Sequence, residues 1–432
     1  MINEQERKRI IALIRQEVVP AIGCTEPVAV ALCVAKATET LGVRPERIQV
    51  MLSANVLKNA MGVGIPGTGM VGLPIAIALG ALVGRSEYKL EVLKDCTQET
   101  VEQGRLFITE KRVSISLKEN ISEKLYIEVN CKSGKQKATA VISGEHTTFV
   151  YIASGNRVLL DKRSDVCKER EEEPLELTLH KVYDFALTSP TDEIRFILES
   201  ARLNKAAAEI SFERNYGHGL GKMLRGKYEH EIMGQNVFSR ILSYTSGACD
   251  ARMAGAMIPV MSNSGSGNQG ISATLPVVIY AEETGKSEEE LVRALILSHL
   301  TVIYIKRELG RLSALCGCVV AATGSSCGIT MLMGGKYRQV TYAVKNMIAN
   351  LTGMICDGAK PSCALKVTTG VSTALLSAMM AMENRYVTAV EGIIDEDVER
   401  CIHNLTQIGA GGMNETDKMV LEIMTGKNKN TY

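Results

Sequence analysis

From Leu312 to Gly335 the chain reads LSALCGCVVAATGSSCGITMLMGG, without one charged residue. A segment of that length and polarity must leave water, either into a bilayer or into a large protein core. Ser, Thr, Gly and three Cys interrupt it and amphipathic segments flank it, which fits a buried helix or loop in a soluble core better than a membrane span. The other apolar run, Met70 to Val83, is too short to cross and contains Pro74. A chain of 432 residues has ample apolar sequence for such an interior and exceeds what one compact core normally holds, so a two-part architecture is expected.

Helical periodicity opens the chain over residues 3–19 and resumes from Val28 to Leu41 after a GCTEP turn. Ile48 to Ser53 reads as a short strand, followed by a Gly/Pro-punctuated loop that leads into a helix. From about Tyr88 the pattern changes to alternation, in Val113–Leu117, Leu125–Asn130, Ala138–Ile142 and Phe149–Ala153, with turn clusters between. A charged, linker-like run, DKRSDVCKEREEEP, closes this unit. Helical periods then return over Glu193–Phe212, Glu288–Leu309, Val340–Thr352, Val371–Met382 and Thr388–Gln407. The expected fold class is α+β: a dominant helical domain from residues 1–86 and 171–432 that carries the site, with a smaller antiparallel β unit inserted at 87–170.

Forty-nine basic residues against 48 acidic ones give a net charge of +1, so no global field recruits nucleic acid, an anionic membrane or a polyanionic partner. Aromatic residues make up 4% with no Trp, which argues against base-stacking platforms. The start, MINEQERKRIIALIRQEVV, is a charged amphipathic helix rather than a secretory signal, so a cytoplasmic location is expected. Twelve cysteines in that compartment act as packed apolar groups, ligands or nucleophiles, not as a disulfide framework.

Cys356 and Cys363 lie in TGMICDGAKPSCALKV on either side of Gly358 and Pro361, where the chain must bend back and can present both sulfurs to one centre. Thiolates at such a turn suit a soft metal or cluster, and the spacing is not a common zinc pattern. A third sulfur is available upstream, where spacing does not choose among Cys316, Cys318 and Cys327. Cys24 stands apart, at the entry to a helix with Thr25 and Glu26 at cap-like positions and Pro27 in the first turn. The positive helix end favours thiolate there, hence a nucleophile or base. Cys33, Cys96, Cys131, Cys167, Cys249 and Cys401 fall inside regular patterns or the charged run and read as structural.

Taken in order, GCTEP (23–27), KNAMGVGIPGT (58–68), NYGHGLGK (215–222), SNSGSGNQG (262–270) and CDGAKPSCALK (356–366) resemble the L-cysteine desulfidase family, itself related to the iron–sulfur L-serine dehydratases. The resemblance implies a 4Fe-4S cluster held by three cysteines, two matching Cys356 and Cys363 and the upstream one matching Cys316. It also implies a catalytic cysteine at Cys24. The activity implied is non-redox β-elimination of L-cysteine to sulfide, ammonia and pyruvate through aminoacrylate, an open iron acting as Lewis acid. L-serine dehydratase activity on the same cluster, and a non-enzymatic metal- or redox-sensing cluster protein, are the alternatives.

A substrate carboxylate needs donors. Ser262, Asn263, Ser264, Gly265, Ser266 and Asn268 offer hydroxyls, an amide and backbone N–H groups able to form an anion-binding nest. His218, between glycines, is a candidate proton carrier, and Lys58 and Asn59 are candidate substrate contacts. GVGIPGTG lacks the Gly-Lys-Ser/Thr ending of a phosphate loop, so nucleotide binding there is rejected. His146, His180, His230, His299 and His403 show no metal-like pairing and read as surface or packing residues. The expected partner is a small amino-acid substrate, with neither nucleic acid nor membrane, and a homodimer is the oligomeric expectation.

Overall fold

A computed structural model describes residues 2–427 except 120, 122, 164–174, 228 and 311. Most of the charged run that follows the β unit, with Cys167, lies outside the described residues, as does the side chain of His230. Two hydrophobic cores organise the rest. Helix α1 (Glu4–Glu17) is followed by strand β1 (Pro20–Ile22), which crosses to pair with β8 (Pro259–Met261).

The smaller core draws on residues from Val28 to Ile142, with Leu312 added from the carboxy-terminal half, and lies against a six-stranded sheet. Its strands are β2 (Arg47–Leu52), β3 (Val113–Leu117), β4 (Tyr126–Ser133), β5 (Gln136–Ser143), β6 (Phe149–Ser154) and β7 (Arg157–Asp161), in the order β3-β2-β4-β5-β6-β7. Alternation puts Ile48, Val50 and Leu52 inward and Arg47 and Gln49 outward. Helix α2 (Thr25–Leu41) lies on the inner face over β4 and β5, backed by α4 (Leu73–Leu82). The sheet is mixed rather than purely antiparallel. Helices α3 (Ala54–Ala60), α4 and α5 (Gln98–Thr109) separate β2 from β3, a crossover long enough to return the chain parallel. Strand β7 escaped the sequence reading because RVLLD, mostly exposed at an edge, does not alternate.

The larger core is helical. It is built from α6 (Leu179–Thr188), α7 (Thr191–Ile194), α8 (Leu198–Glu213), α10 (Val237–Met253), α11 (Gly267–Glu283), α12 (Glu288–Leu309), α13 (Gly317–Leu332), α14 (Tyr337–Leu351), α15 (Cys363–Met382) and α16 (Val398–Gln407), while the short α9 (Leu220–Met223) packs on α10 and the last helix, α17 (Asn414–Lys427), on α3. The uncharged segment forms α13, which is buried against α11, α12, α14 and α15. A Cβ on Gly324 would strike the Ser298 carbonyl of α12, so the small residues that interrupt its hydropathy let the helices close up. Helix α15 is long and apolar enough to cross a membrane by length and composition, yet half of its apolar window is buried here, against α10, α13 and α14.

Helices α10 and α11 carried no periodic signal. Helix α10 is buried nearly all round, and Thr245 and Ser246 satisfy their hydroxyls on the Ile241 and Leu242 carbonyls at 2.7 and 2.6 Å, so no apolar stripe shows. The expected helix from Thr388 begins instead at Val398, where Asp397 caps the Glu399 N–H. In contrast, α12 has the bounds its pattern predicts, with a Ser287–Glu290 capping box at its start.

Candidate active site

Four helix N-termini end at one cavity. Cys24 is the N-cap of α2, Ser266 of α11 and Cys316 of α13, and Cys363 is the first residue of α15; all four line a space of about 550 Å³. No side chain caps any of these ends. Their positive dipole ends therefore face the cavity, which favours anions, although at α15 the first three N–H groups already bond the Lys360, Pro361 and Ser362 carbonyls. Arg252 and Lys366 reinforce this, and Glu26 is the one carboxylate among the lining residues.

The three cysteines arrive on separate pieces of chain. A short antiparallel crossing at Leu315 and Ile355 sets Cys316 beside Cys356, with the Cys316 N–H on the Met354 carbonyl (2.9 Å) and the Cys356 N–H on the Ala314 carbonyl (2.6 Å). The bend to Cys363 is clamped by Lys360 and Lys366, which converge on the Asp357 carboxylate. Burial opposes ionisation of Asp357, but the two ammonium groups win and draw its pKa down to about 2. Gly358, at φ +89°, passes so close to the Lys58 carbonyl that no Cβ fits.

Cys316, Cys356 and Cys363 are half-buried at the cavity, which the more deeply buried Cys318 also lines and Cys327 does not reach. Cys318 is buried and its thiol donates to the Lys366 carbonyl at 3.2 Å, and Cys327 is enclosed in the α13 core. Among the described residues no three His, Cys, Asp or Glu side chains draw close enough to hold one metal ion. Thiols set around an open cavity suit a polynuclear cluster instead, whose ligating sulfurs bind separate irons.

Lys58 faces away from the cavity space, unlike its neighbour Asn59. Its ammonium, fully buried, pairs with Asp417 of α17 and donates to the Cys356 carbonyl at 3.3 Å, so it ties the cysteine bend to the last helix. Lys58→Ala is expected to lower stability by about 3 kcal/mol, because it strands Asp417 in a largely enclosed position. A lower urea midpoint at unchanged slope is the check.

The expectation of a resting Cys24 thiolate is corrected. Burial is the largest influence on this thiol, the Glu26 charge adds to it, and together they outweigh Arg252 and push the thiol well above its usual range. Cys24 is therefore a neutral donor, its Sγ 3.1 Å from Glu26 Oε2. Burial also works against the Glu26 carboxylate, but His146, 3.9 Å away, and the Cys24 thiol hold it ionised, well below the ordinary carboxylate range. Thr25 Oγ1 and Asn59 Nδ2 donate to the same carboxylate at 3.0 Å each. His146, read from sequence as surface or packing, is thus buried beside the site's carboxylate.

The Gly-rich loop divides. Ser266 and Asn268 line the cavity, whereas Ser262, Asn263, Ser264 and Gly265 do not. Ser262 Oγ donates to the Val19 carbonyl at 2.6 Å, and Asn263 Nδ2 reaches buried His299 at 3.0 Å. Ser264 N–H donates to Glu17, and the Gly265 carbonyl accepts from Thr25 Oγ1. Four of the amides expected to form a nest, those of Ser262, Asn263, Ser264 and Ser266, are consumed in holding the loop, Asn263 and Ser266 pairing with each other. His218 is also away from the cavity: it is exposed, and its backbone N–H bonds Asp250. His299 is a packing residue as read, burial pushing its pKa down to about 3.

Three residues were not singled out by sequence. Arg252, on α10, is almost completely buried, with Nε on the Gly23 carbonyl (3.1 Å) and Nη1 on Asn268 Oδ1 (2.9 Å). Gln269 Oε1 is buried beside it without a hydrogen-bond partner, as is Asn59 Oδ1. Glu26, read only as a cap, completes the set. An arginine inside the helical sequence DARMAG signals nothing until the fold brings Gly23 and Asn268 to it.

An open cavity of thiols and amides, with a buried arginine and orphaned acceptors, has the donors and acceptors to take a small charged molecule. The chain belongs to the serine dehydratase alpha chain family, whose sequence profile matches residues 87–422, a family of dehydratase-type lyases. It is 78% identical to a UPF0597 protein of Bacteroides thetaiotaomicron, over 98% of this chain and 99% of the relative. A UPF0597 protein of Parabacteroides distasonis is 60% identical over 98% of both chains. The UPF0597 protein YhaM of Escherichia coli is 43% identical over 97% of both. The profile match does not reach Cys24, Glu26 or Asn59, which the relatives' alignments extend far enough to include.

Proposed function

We propose that the chain is a β-eliminating lyase for a small α-amino acid, L-cysteine in the first instance, with a 4Fe-4S cluster bound by Cys316, Cys356 and Cys363. One observation carries this reading: three half-buried thiols, the Cys24–Glu26 pair and Arg252 meet at four uncapped helix ends. These residues fit the group, because the thiols stand on separate elements and the helix ends favour the negative charge of a thiolate-bound centre. When bound, the cluster would supply an iron with an open position as Lewis acid for the β-substituent.

Arg252 and the free N–H groups at the start of α11 take the substrate carboxylate. The orphaned oxygens of Asn59 and Gln269 take its ammonium group. Cys24 Sγ accepts the Cα proton as its own proton passes to Glu26 Oε2 along their hydrogen bond. The electron pair left at Cα forms the Cα=Cβ bond and sulfide departs from Cβ. Aminoacrylate then hydrolyses to pyruvate and ammonia. A second reading, L-serine dehydratase with hydroxide leaving, is favoured by the description of the matching family. Eleven free cysteines among the described residues support a reducing compartment, and we propose the cytoplasm.

Anaerobic purification tests the proposal. Brown protein with roughly four irons per chain, and sulfide with pyruvate from L-cysteine, is the expected result. Faster pyruvate release from L-serine than from L-cysteine selects the second reading. Stoichiometric zinc without acid-labile sulfide, or colourless protein still inactive after iron and sulfide reconstitution, overturns both. Carboxylate recognition has its own check: a Cβ at Gly267 would run into the Arg252 guanidinium. Gly267→Ala is expected to raise KM on the order of tenfold, with kcat changed less, in initial-rate kinetics.

A further inference from the structure

The solvent face of the sheet holds a second cavity that the elimination chemistry does not use. It is open to solvent, spans about 1170 Å³ and is lined from β2, β3, β4 and β5. Antiparallel register sets Arg47 opposite Lys132, and Lys132 opposite Lys137. The next row on the same face is Gln49, Asn130 and Thr139, again directly opposite one another. A cationic row thus runs beside a row of amides and a hydroxyl.

Like charges directly opposed across strands destabilise a sheet. Here three stand in line, with Lys111 on the same cavity wall. Among the described residues no carboxylate pairs with Arg47, Lys111, Lys132 or Lys137, and the lining contains neither Asp nor Glu. Arg112, also in the lining, is already neutralised by Glu110 at 2.6 Å. The uncompensated row therefore gains stability from a bound anion. Its outer members are two strand spacings apart, about 10 Å, so the long side chains can close on one phosphate or on two phosphoryl groups of one molecule. No aromatic ring lines the cavity for a base to stack on, whereas the polar row suits hydroxyl groups.

We infer that this face is a binding site for a phosphorylated small molecule whose remainder is hydroxylated rather than aromatic, of the sugar-phosphate class. Calorimetric titration of the full chain, purified anaerobically, with inorganic pyrophosphate and with fructose 1,6-bisphosphate tests it. Saturable one-to-one binding is expected. The double variant Lys132→Gln, Lys137→Gln should lose about tenfold in affinity or more, while Lys135→Gln, in the adjoining turn and outside the lining, should bind as wild type. Without anion the double variant should melt no lower than wild type, because opposed charges have been removed, so weaker binding cannot be ascribed to misfolding. Absence of saturable binding by wild type at millimolar concentration, or unchanged affinity in the double variant, overturns the inference. Tighter binding of a single-stranded oligonucleotide than of either phosphate also overturns it.

Discussion

Cys356→Ser is expected to lose colour, iron and turnover together. Cys356 sits on the crossing that sets it beside Cys316, and its backbone is held from both sides by Ala314 and Lys58. The fold around it survives the exchange, but a hydroxyl is a hard, weakly acidic donor where iron–sulfur chemistry asks for thiolate. Turnover should fall by at least about a thousandfold, since the electrophile and the substrate anchor go at once. Cys318→Ser is the matched comparison. That thiol only donates to the Lys366 carbonyl, so colour and most activity should remain. Visible spectra, iron and acid-labile sulfide content, and sulfide release from L-cysteine read both variants. Full iron content and activity in Cys356→Ser would sink the three-thiol assignment.

Cys24→Ala is expected to do the opposite to the cluster. Colour and iron should be retained, while kcat falls by about 10²–10⁴-fold and KM moves little. Glu26→Gln should lower kcat in the same way, because the thiol proton then has no charged acceptor. Since burial and the Glu26 charge keep the thiol protonated at rest, alkylation at neutral pH should be slow despite the helix end beneath it. Normal turnover in Cys24→Ala would show that proton abstraction lies elsewhere.

The Gly/Pro punctuation around Cys356 and Cys363 was enough to foresee a bend that turns both thiols one way, because turn chemistry is local. The position of Cys24 was equally local: Pro27 and a cap-like Thr-Glu pair mark a helix start, and the helix begins at Thr25. Its protonation was not legible, because it is decided first by burial and then by the charge of Glu26, whose carboxylate Asn59 and His146 approach from other elements. The Gly-rich loop misled in a related way. Small polar residues signal available donors, yet Ser262 and Asn263 spend theirs on Val19 and His299. Arg252 was invisible for lack of any local pattern. In the fold, alternation marks β3 and three further strands of the sheet, while α10, buried on nearly all sides and rich in small and polar residues, carries no apolar stripe.

The ion pair between Lys58 and Asp417 joins residues 359 positions apart. That separation orders events during the making of the protein. The cysteine bend leaves the ribosome before the helix that steadies it, and Lys58 waits through most of translation for its counterion. On the proposed function, a cluster would accordingly be inserted late, since its acceptor loop is pinned only once α17 has docked. A nascent chain stalled short of Asp417 would expose its thiols on a loop not yet pinned, at the stage when oxidation competes with assembly.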